Sequence, residues 1–362
     1  MENTKATVVK KKKQNVFVKL ADSNAGVPVA SIILSLLMLA LLSAIYGANP
    51  IEVIARLLEG SLGGTRQFVF TLAQTTPLIL SALAVYIPYR TGFFNVGGQG
   101  QIQVAALASV LVTLHVGGPP AIVVPLAIIA GMAAAVVAVL IPLFLKLKQG
   151  ANEVTTTLMM TFALTHLVYA LVITVFKDPD AFFGTTRVIP RDLRMPIFPE
   201  AIGLHIGIYI AVIVAVAAWW ILKNTTWGMQ LKATGLNPQA AKVAGIKVNK
   251  MTISSVVAGA ACAGLAGSIQ VLGITFRVAE EWALGWGFTG ISIAFLGGNP
   301  LIIIPVAFIL ASIETGSRFM QATTGVPSAI SNVMQGLPVV IFIALNAWRS
   351  LRAMRANTLG GE

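Results

Sequence analysis

The chain has 362 residues, 56% hydrophobic and 10% charged, whereas soluble domains carry about 45–50% apolar and about 25% charged residues. That composition excludes an ordinary soluble enzyme or binding domain. A net charge of +12 would suggest nucleic acid in a soluble chain, but here the basic residues lie between long apolar runs, so the expected partner is the lipid bilayer and not nucleic acid.

A hydrocarbon core about 30 Å thick takes about 20 helical residues to cross. Residues 1–26 carry six lysines, four of them consecutive at 10–13, and are expected to form a cytoplasmic basic segment near anionic lipid. The apolar run at 27–46 is longer than the 7–15 residues of a signal-peptide core, so it reads as an uncleaved first helix. Further runs of spanning length lie at 68–87, 121–145, 154–176, 204–222, 251–272 and 329–348, with short or broken ones at 102–115, 288–296 and 301–313. Together they predict an all-α integral membrane protein with ten transmembrane helices. Its membrane domain covers 27–348, including a cytoplasmic loop at 223–250, and a cytoplasmic tail follows at 349–362.

Ten spans put both termini on one side. A cytoplasmic N-terminus then leaves 17 basic residues inside and 8 outside, which satisfies the positive-inside rule.

The spans so drawn contain no Asp, Glu, Lys or Arg well inside, which disfavours an ion-coupled secondary transporter. His166 is the lone ionisable group at mid-span, and it reads first as a histidine hydrogen-bonded between helices. Cys262 is the only cysteine, so intrachain disulfides and cysteine-based metal sites are excluded. No intramembrane carboxylate pair, metal-ligand cluster or Ser/His/Asp set is present, so the chain is not expected to be an enzyme or to hold a cofactor.

Polar breaks in the apolar pattern are more informative. Residues 90–103 combine four glycines with Asn95, Gln99, Gln101 and Gln103, and 285–300 forms a second Gly-rich interruption. Irregular backbone at membrane depth is tolerated only when buried in protein or lining a cavity. Paired interruptions predict two pseudo-repeated halves with interrupted helices around a translocation pathway. Phe93, Phe94, Asn95, Gln99 and Gln101 are the candidate pathway residues, offering aromatic faces and amides. Gly259, Ala263 and Gly267 form a small-residue stripe for helix packing. The loop at 177–203 mixes charges with Phe182 and Phe183, a candidate docking surface for an external partner. In the loop at 223–250, Asn237 suits an N-cap, Pro238 the first helical position and Gly245 a left-handed C-terminal residue. The short helix between them, with Ala240, Ala241, Val243 and Ala244 as a small-residue surface and Lys242 exposed, predicts a knob for a groove on another protein.

These residues resemble the membrane-spanning permease subunits of bacterial ABC importers, in the branch for branched-chain amino acids, simple sugars and nucleosides. Residues 90–101, Arg-Thr-Gly-Phe-Phe-Asn-Val-Gly-Gly-Gln-Gly-Gln, are similar to that family's Gly-Leu-Phe-Asn-Ile-Gly-x-Glu-Gly-Gln segment, and 150–159 to its Gly-x-Asn-Glu-Val segment. Residues 233–246 are similar to its coupling-helix region. The resemblance is to the nucleoside-type subgroup served by basic-membrane-lipoprotein binding proteins, with Gln99 standing where the family usually has Glu. It implies a cytoplasmic ABC ATPase that contacts Asn237, Pro238, Ala240, Ala241, Ala244 and Gly245, a second permease, homologous or identical, and an extracytoplasmic substrate-binding lipoprotein. It also implies a place in the bacterial inner membrane. With no Gly-Lys dipeptide for a phosphate-binding loop, ATP is expected to be used by the partner and not by this chain. A simple-sugar importer permease is the alternative.

Overall fold

The computed structural model describes residues 26–327 other than 200–202, 280–281 and 283–284, together with residues 329, 330, 333, 336, 340 and 344. The expected basic segment before Gly26 and the tail at 349–362 lie outside the described residues, and the expected span at 329–348 is described only at isolated positions, helical from 330 onwards. Regular structure among the described residues is helical. It comprises α1 (Gly26–Ile45), α2 (Pro50–Leu62), α3 (Thr65–Tyr89), α4 (Gly98–His115), α5 (Pro120–Gln149), α6 (Glu153–Ile173) and α7 (Gly207–Asn224). There follow α8 (Thr226–Leu236), α9 (Pro238–Val243), α10 (Val248–Gln270), α11 (Trp286–Gly297) and α12 (Pro300–Thr324). The last turn of α10 loosens into a π-helical segment, Val271–Thr275.

Six helices among the described residues are long and apolar enough to cross a bilayer: α3, α5, α6, α7, α10 with its π-helical end, and α12. Part of α1 joins α2 as a broken pair bent by 120°. The chain is therefore a multi-pass helical membrane protein. Helix α2 falls in a stretch that the sequence reading treats as a connection. It is amphipathic, with Val53 and Leu57 buried and Arg56 pairing outward with Glu52 and Glu59.

Asparagine starts four of the helices. Asn49, Asn237 and Asn299 each precede a proline at the first helical position and accept a backbone N–H with the side chain, and Asn152 does the same for Val154 and Thr155 at α6. An Asn side chain satisfies donors that a helix start leaves free, and proline has none to leave free.

Helices α3 and α10 form the centre and are the most enclosed of the spanning helices. The small-residue stripe does what small residues do at a helix crossing: Gly259 sits against Pro88 and Ala84, and Gly267 against the Ile102 carbonyl. Helices α5, α6 and α7 lie at the periphery with much of their surface uncovered.

Two expectations need correction. Helix α12 continues past residue 313 to Thr324 and carries Glu314 and Arg318 inside the helix, so its interior is not free of charge. Glu314 accepts from the Trp286 indole at 3.4 Å and pairs with Arg318 at 3.5 Å, which compensates a carboxylate at that depth. His166 is not held between helices either: it is exposed on α6.

Candidate functional site

The two interruptions predicted from sequence meet. Below Arg90 the chain leaves α3, crosses 91–97 without helical structure and restarts as α4 at Gly98. Helix α11 restarts at Trp286, and its Gly287 packs directly on Gln99, where a Cβ would collide with the Gln99 backbone. Glycine is required there for the close approach. The Gln99 side-chain oxygen accepts the Gly287 N–H at 2.8 Å, and Ser81 of α3 donates to the Trp286 carbonyl at 3.0 Å. Two helix N-termini, each with unsatisfied N–H groups, thus abut beside α3. The bond to Gly287 needs an acceptor on residue 99, a role that amide and carboxylate oxygens share. Gln99 supplies that acceptor without a charge.

Asn95 is fully buried and Gln101 nearly so. They exchange amide hydrogen bonds, Asn95 Nδ2 to Gln101 Oε1 at 3.2 Å and Gln101 Nε2 to Asn95 Oδ1 at 3.3 Å. Asn95 Oδ1 also accepts the Gly97 N–H at 2.9 Å. This closed amide pair satisfies a turn that has no helix to supply its partners. Phe93 is buried in a small cluster with Val139, Leu143, Val256 and Ala260. Phe94 is half-buried and meets Tyr89 and Phe295 edge-on or tilted, with ring centroids 6.2 and 5.6 Å away.

The segment rests on α6. Thr157 accepts the Val96 N–H at 3.2 Å, Thr161 donates to the Val96 carbonyl at 3.4 Å, and Gly100 lies against Thr161 and Leu164. The structure thus brings Asn95, Gln99 and Gln101 into one buried junction between α3, α4, α6 and α11, with Phe94 half-buried beside Tyr89 and Phe295, while Phe93 packs separately against α5 and α10.

At the opposite end of the sequence signal, α9 is a short helix of six residues. Asn237 Oδ1 accepts the N–H groups of Gln239 and Ala240, both at 3.0 Å, and Gly245 takes the expected left-handed conformation with φ +82°. Pro238, Ala240 and Ala244 are exposed, but Ala241 is buried against its own chain, so it does not belong to the outward surface. Val243, which the sequence already places on this helix, dominates that surface at 91% exposure, together with Leu236 at 77%, which sequence reasoning missed. The signal was available in an apolar side chain immediately before a capped turn.

On the other face, the loop before α7 is tied to the end of α10 through Thr186 to Val278, Ile189 to Phe276 and Met195 to Leu272 backbone bonds. Arg194 stacks on Phe276 at 4.1 Å. Phe182 and Phe183 stand clear of the chain, edge to face at 5.2 Å.

Residues 67–343 match the family described as the branched-chain amino acid transport system permease component. The chain belongs to that permease family. It is 34% identical to the guanosine ABC transporter permease protein NupP of Bacillus subtilis, over 89% of this chain and 93% of that one. Identity is 31% to the nucleoside ABC transporter permease protein NupB of Lactococcus lactis, over 88% and 90% of the two chains. A glucose ABC transporter permease protein of Haloferax volcanii is 28% identical over 90% and 89%. All three relatives are named as permease proteins of ABC transporters.

Proposed function

We propose that this permease imports a nucleoside, working with a separate cytoplasmic ATPase that uses ATP, a second permease and an extracytoplasmic binding lipoprotein. The observation that carries the reading is the similarity above 30% to two permeases named for guanosine and nucleosides, over nearly their full lengths. In this reading the chain sits in the bacterial inner membrane with ten spans and both termini cytoplasmic. The six long helices are joined by α1, α4, α11 and a span at 329–348. Residues 1–26, 27–348 and 349–362 are the basic segment, membrane domain and tail. Phe93, Phe94, Asn95, Gln99 and Gln101 border the translocation pathway, their hydrogen bonds holding its wall and not the solute. Exposed Leu236, Pro238, Ala240, Val243 and Ala244, framed by Asn237 and Gly245, dock in an ATPase groove, with exposed Lys232 and Lys242 meeting acids at its rim. Phe182 and Phe183 face the binding protein.

Proteoliposomes holding the complete complex test this directly. ATP-dependent accumulation of labelled guanosine, competed by other nucleosides and not by glucose, is the expected result. Accumulation of glucose alone would establish the sugar reading instead, which the halophile relative motivates.

A further inference from the structure

The peripheral helices differ in what they show. On α5 the exposed large side chains are Ile122, Leu126, Ile129, Val137, Leu140, Ile141 and Phe144, a surface that matches lipid. Helix α6 is the least enclosed of the six long helices, yet its uncovered face is unlike that of α5. Met159 at 67%, Phe162 at 54%, Tyr169 at 36% and His166 are exposed there, with Thr155 below them and the aliphatic Leu167 and Val154 on the flanks.

At 100° per residue, positions 155, 159, 162, 166 and 169 fall on one face within an arc of about 80°. Ala163 and Ala170, also exposed, border the stripe and leave room in front of it. With a rise of about 1.5 Å per residue, His166 lies roughly 20 Å from the start of α6 and roughly 10 Å from its end. That depth is inside the hydrocarbon layer. His166 makes no hydrogen bond to the described residues of the chain. An ionisable side chain at such depth faces a bundle interior or a water-filled cavity, not lipid.

We propose that this face of α6 is a wall of the solute pathway, and that it contacts a nucleobase directly. The second permease supplies the opposite wall. The imidazole has one donor and one acceptor nitrogen when neutral, which suits the edge of a heterocyclic base. Phe162 and Tyr169 offer ring faces for stacking, and the Met159 thioether adapts to a flat ring. The buried junction at 93–101 then has a physical task, because it props α6 from behind through Thr157, Thr161 and Gly100. The identity of the solute rests on the functional reading above, but the wall itself rests on the depth and exposure of His166.

Cysteine reactivity separates the two. In a Cys262→Ala background, Met159→Cys, His166→Cys and, as a lipid-facing control, Ile129→Cys are placed singly in the complete complex. Each is treated with a charged, membrane-impermeant methanethiosulfonate reagent, with and without saturating purine nucleoside. The expected result is modification at 159 and 166, none at 129, and at least fivefold slower modification at 166 with nucleoside present. Failure of both 159 and 166 to react, like 129, overturns the wall. Equal rates with and without nucleoside, in a parent complex that does accumulate it, overturn the base contact. A parent that accumulates no nucleoside breaks the functional reading, and reactivity at 159 and 166 against 129 still decides the wall. His166→Gln and His166→Leu give a second measurement: the glutamine, which keeps a donor and an acceptor, holds nucleoside uptake within about threefold, and the leucine lowers it more than tenfold. Equal uptake by both variants overturns the role of the imidazole.

Discussion

Replacing Asn95 by Leu tests whether the amide pair holds the interrupted segment together. The side chain is fully buried, and its loss strands the Gly97 N–H and both ends of the Gln101 amide. A buried group left unpaired costs about 1–3 kcal/mol. Hydrogen bonds between membrane segments couple by only about 0.6 kcal/mol on average and about 1.7 at most, so relaxation will recover part of that cost. We expect Asn95→Leu to destabilise the protein by about 2–4 kcal/mol and Gln101→Leu by somewhat less, since the latter still leaves the Asn95 oxygen its bond from Gly97. The double variant strands no side-chain amide, only the Gly97 N–H. It should therefore cost about 1–2 kcal/mol less than the sum of the two, the signature of a direct pair in a double-mutant cycle. Melting of the purified permease in detergent measures this, at roughly 2 °C per kcal/mol for a chain of this size. A double variant that melts lower by the full sum of the single shifts refutes the pair.

Two further outcomes follow. Val243→Asp should leave the permease folded and inserted, because that side chain is 91% exposed, but should lower recovery of the ATPase on copurification at least tenfold, whereas Ala241→Trp should instead lower the melting temperature, since Ala241 is buried; unchanged ATPase recovery with Val243→Asp would move the contact elsewhere. His205, outside the spanning segments, is buried and its Nδ1 accepts the Gly207 N–H. Burial lowers its pKa to about 4, outweighing the Ala73 carbonyl, which pulls it up. Between that value and the usual 6.5 the unfolded chain binds the extra proton, so stability conferred by neutral His205 is full above about pH 6.5 and falls as the pH drops towards 4. The loss amounts to about 3 kcal/mol at most. His205→Gln should flatten the pH dependence of melting over that window, and an unaltered slope would show that the histidine is not the group responsible.

The sequence carried those parts of the fold that depend on local chemistry. The apolar runs at 68–87, 121–145, 154–176, 204–222 and 251–272, the Asn237-Pro238 helix start, the left-handed Gly245 and the glycine stripe follow from rules that act within a few residues, and the structure has each of them. What failed depended on neighbours. The end of α12 was placed early because Glu314 and Arg318 look like an interface by composition. Their compensation comes from each other and from Trp286, which is distant in sequence. Helix α2 escapes a search for spans because its 13 residues are too short to cross the bilayer and carry Glu52, Arg56 and Glu59. Ala241 and Ala244 are identical by composition, and only the fold-back of Ile246 onto the Ala241 carbonyl decides which of them turns inward.

The same logic bears on the pathway. Sequence alone marks residues 93–101 because glycines and amides are conspicuous at membrane depth, but conspicuous polarity in a membrane chain has two causes that composition does not separate. A polar side chain there is either satisfied within the protein or exposed to water. Asn95 and Gln101 belong to the first class, since they bond each other, and Gln99 is bonded to Gly287. His166 belongs to the second class on geometry: it is exposed on a face whose neighbours are aromatic and sulfur-bearing. The two are connected through α6, whose inner threonines grip the buried segment while its outer face carries the histidine. A change at Gln99 would therefore reach the solute through the position of α6. Its effect on transport should follow its effect on stability, whereas a change at His166 should alter transport while melting stays within about 2 °C of the parent, as exposed positions away from buried networks usually do. Measuring uptake and melting on both variants separates wall from brace, and a Gln99→Leu variant that melts like the parent but no longer transports would reverse the assignment.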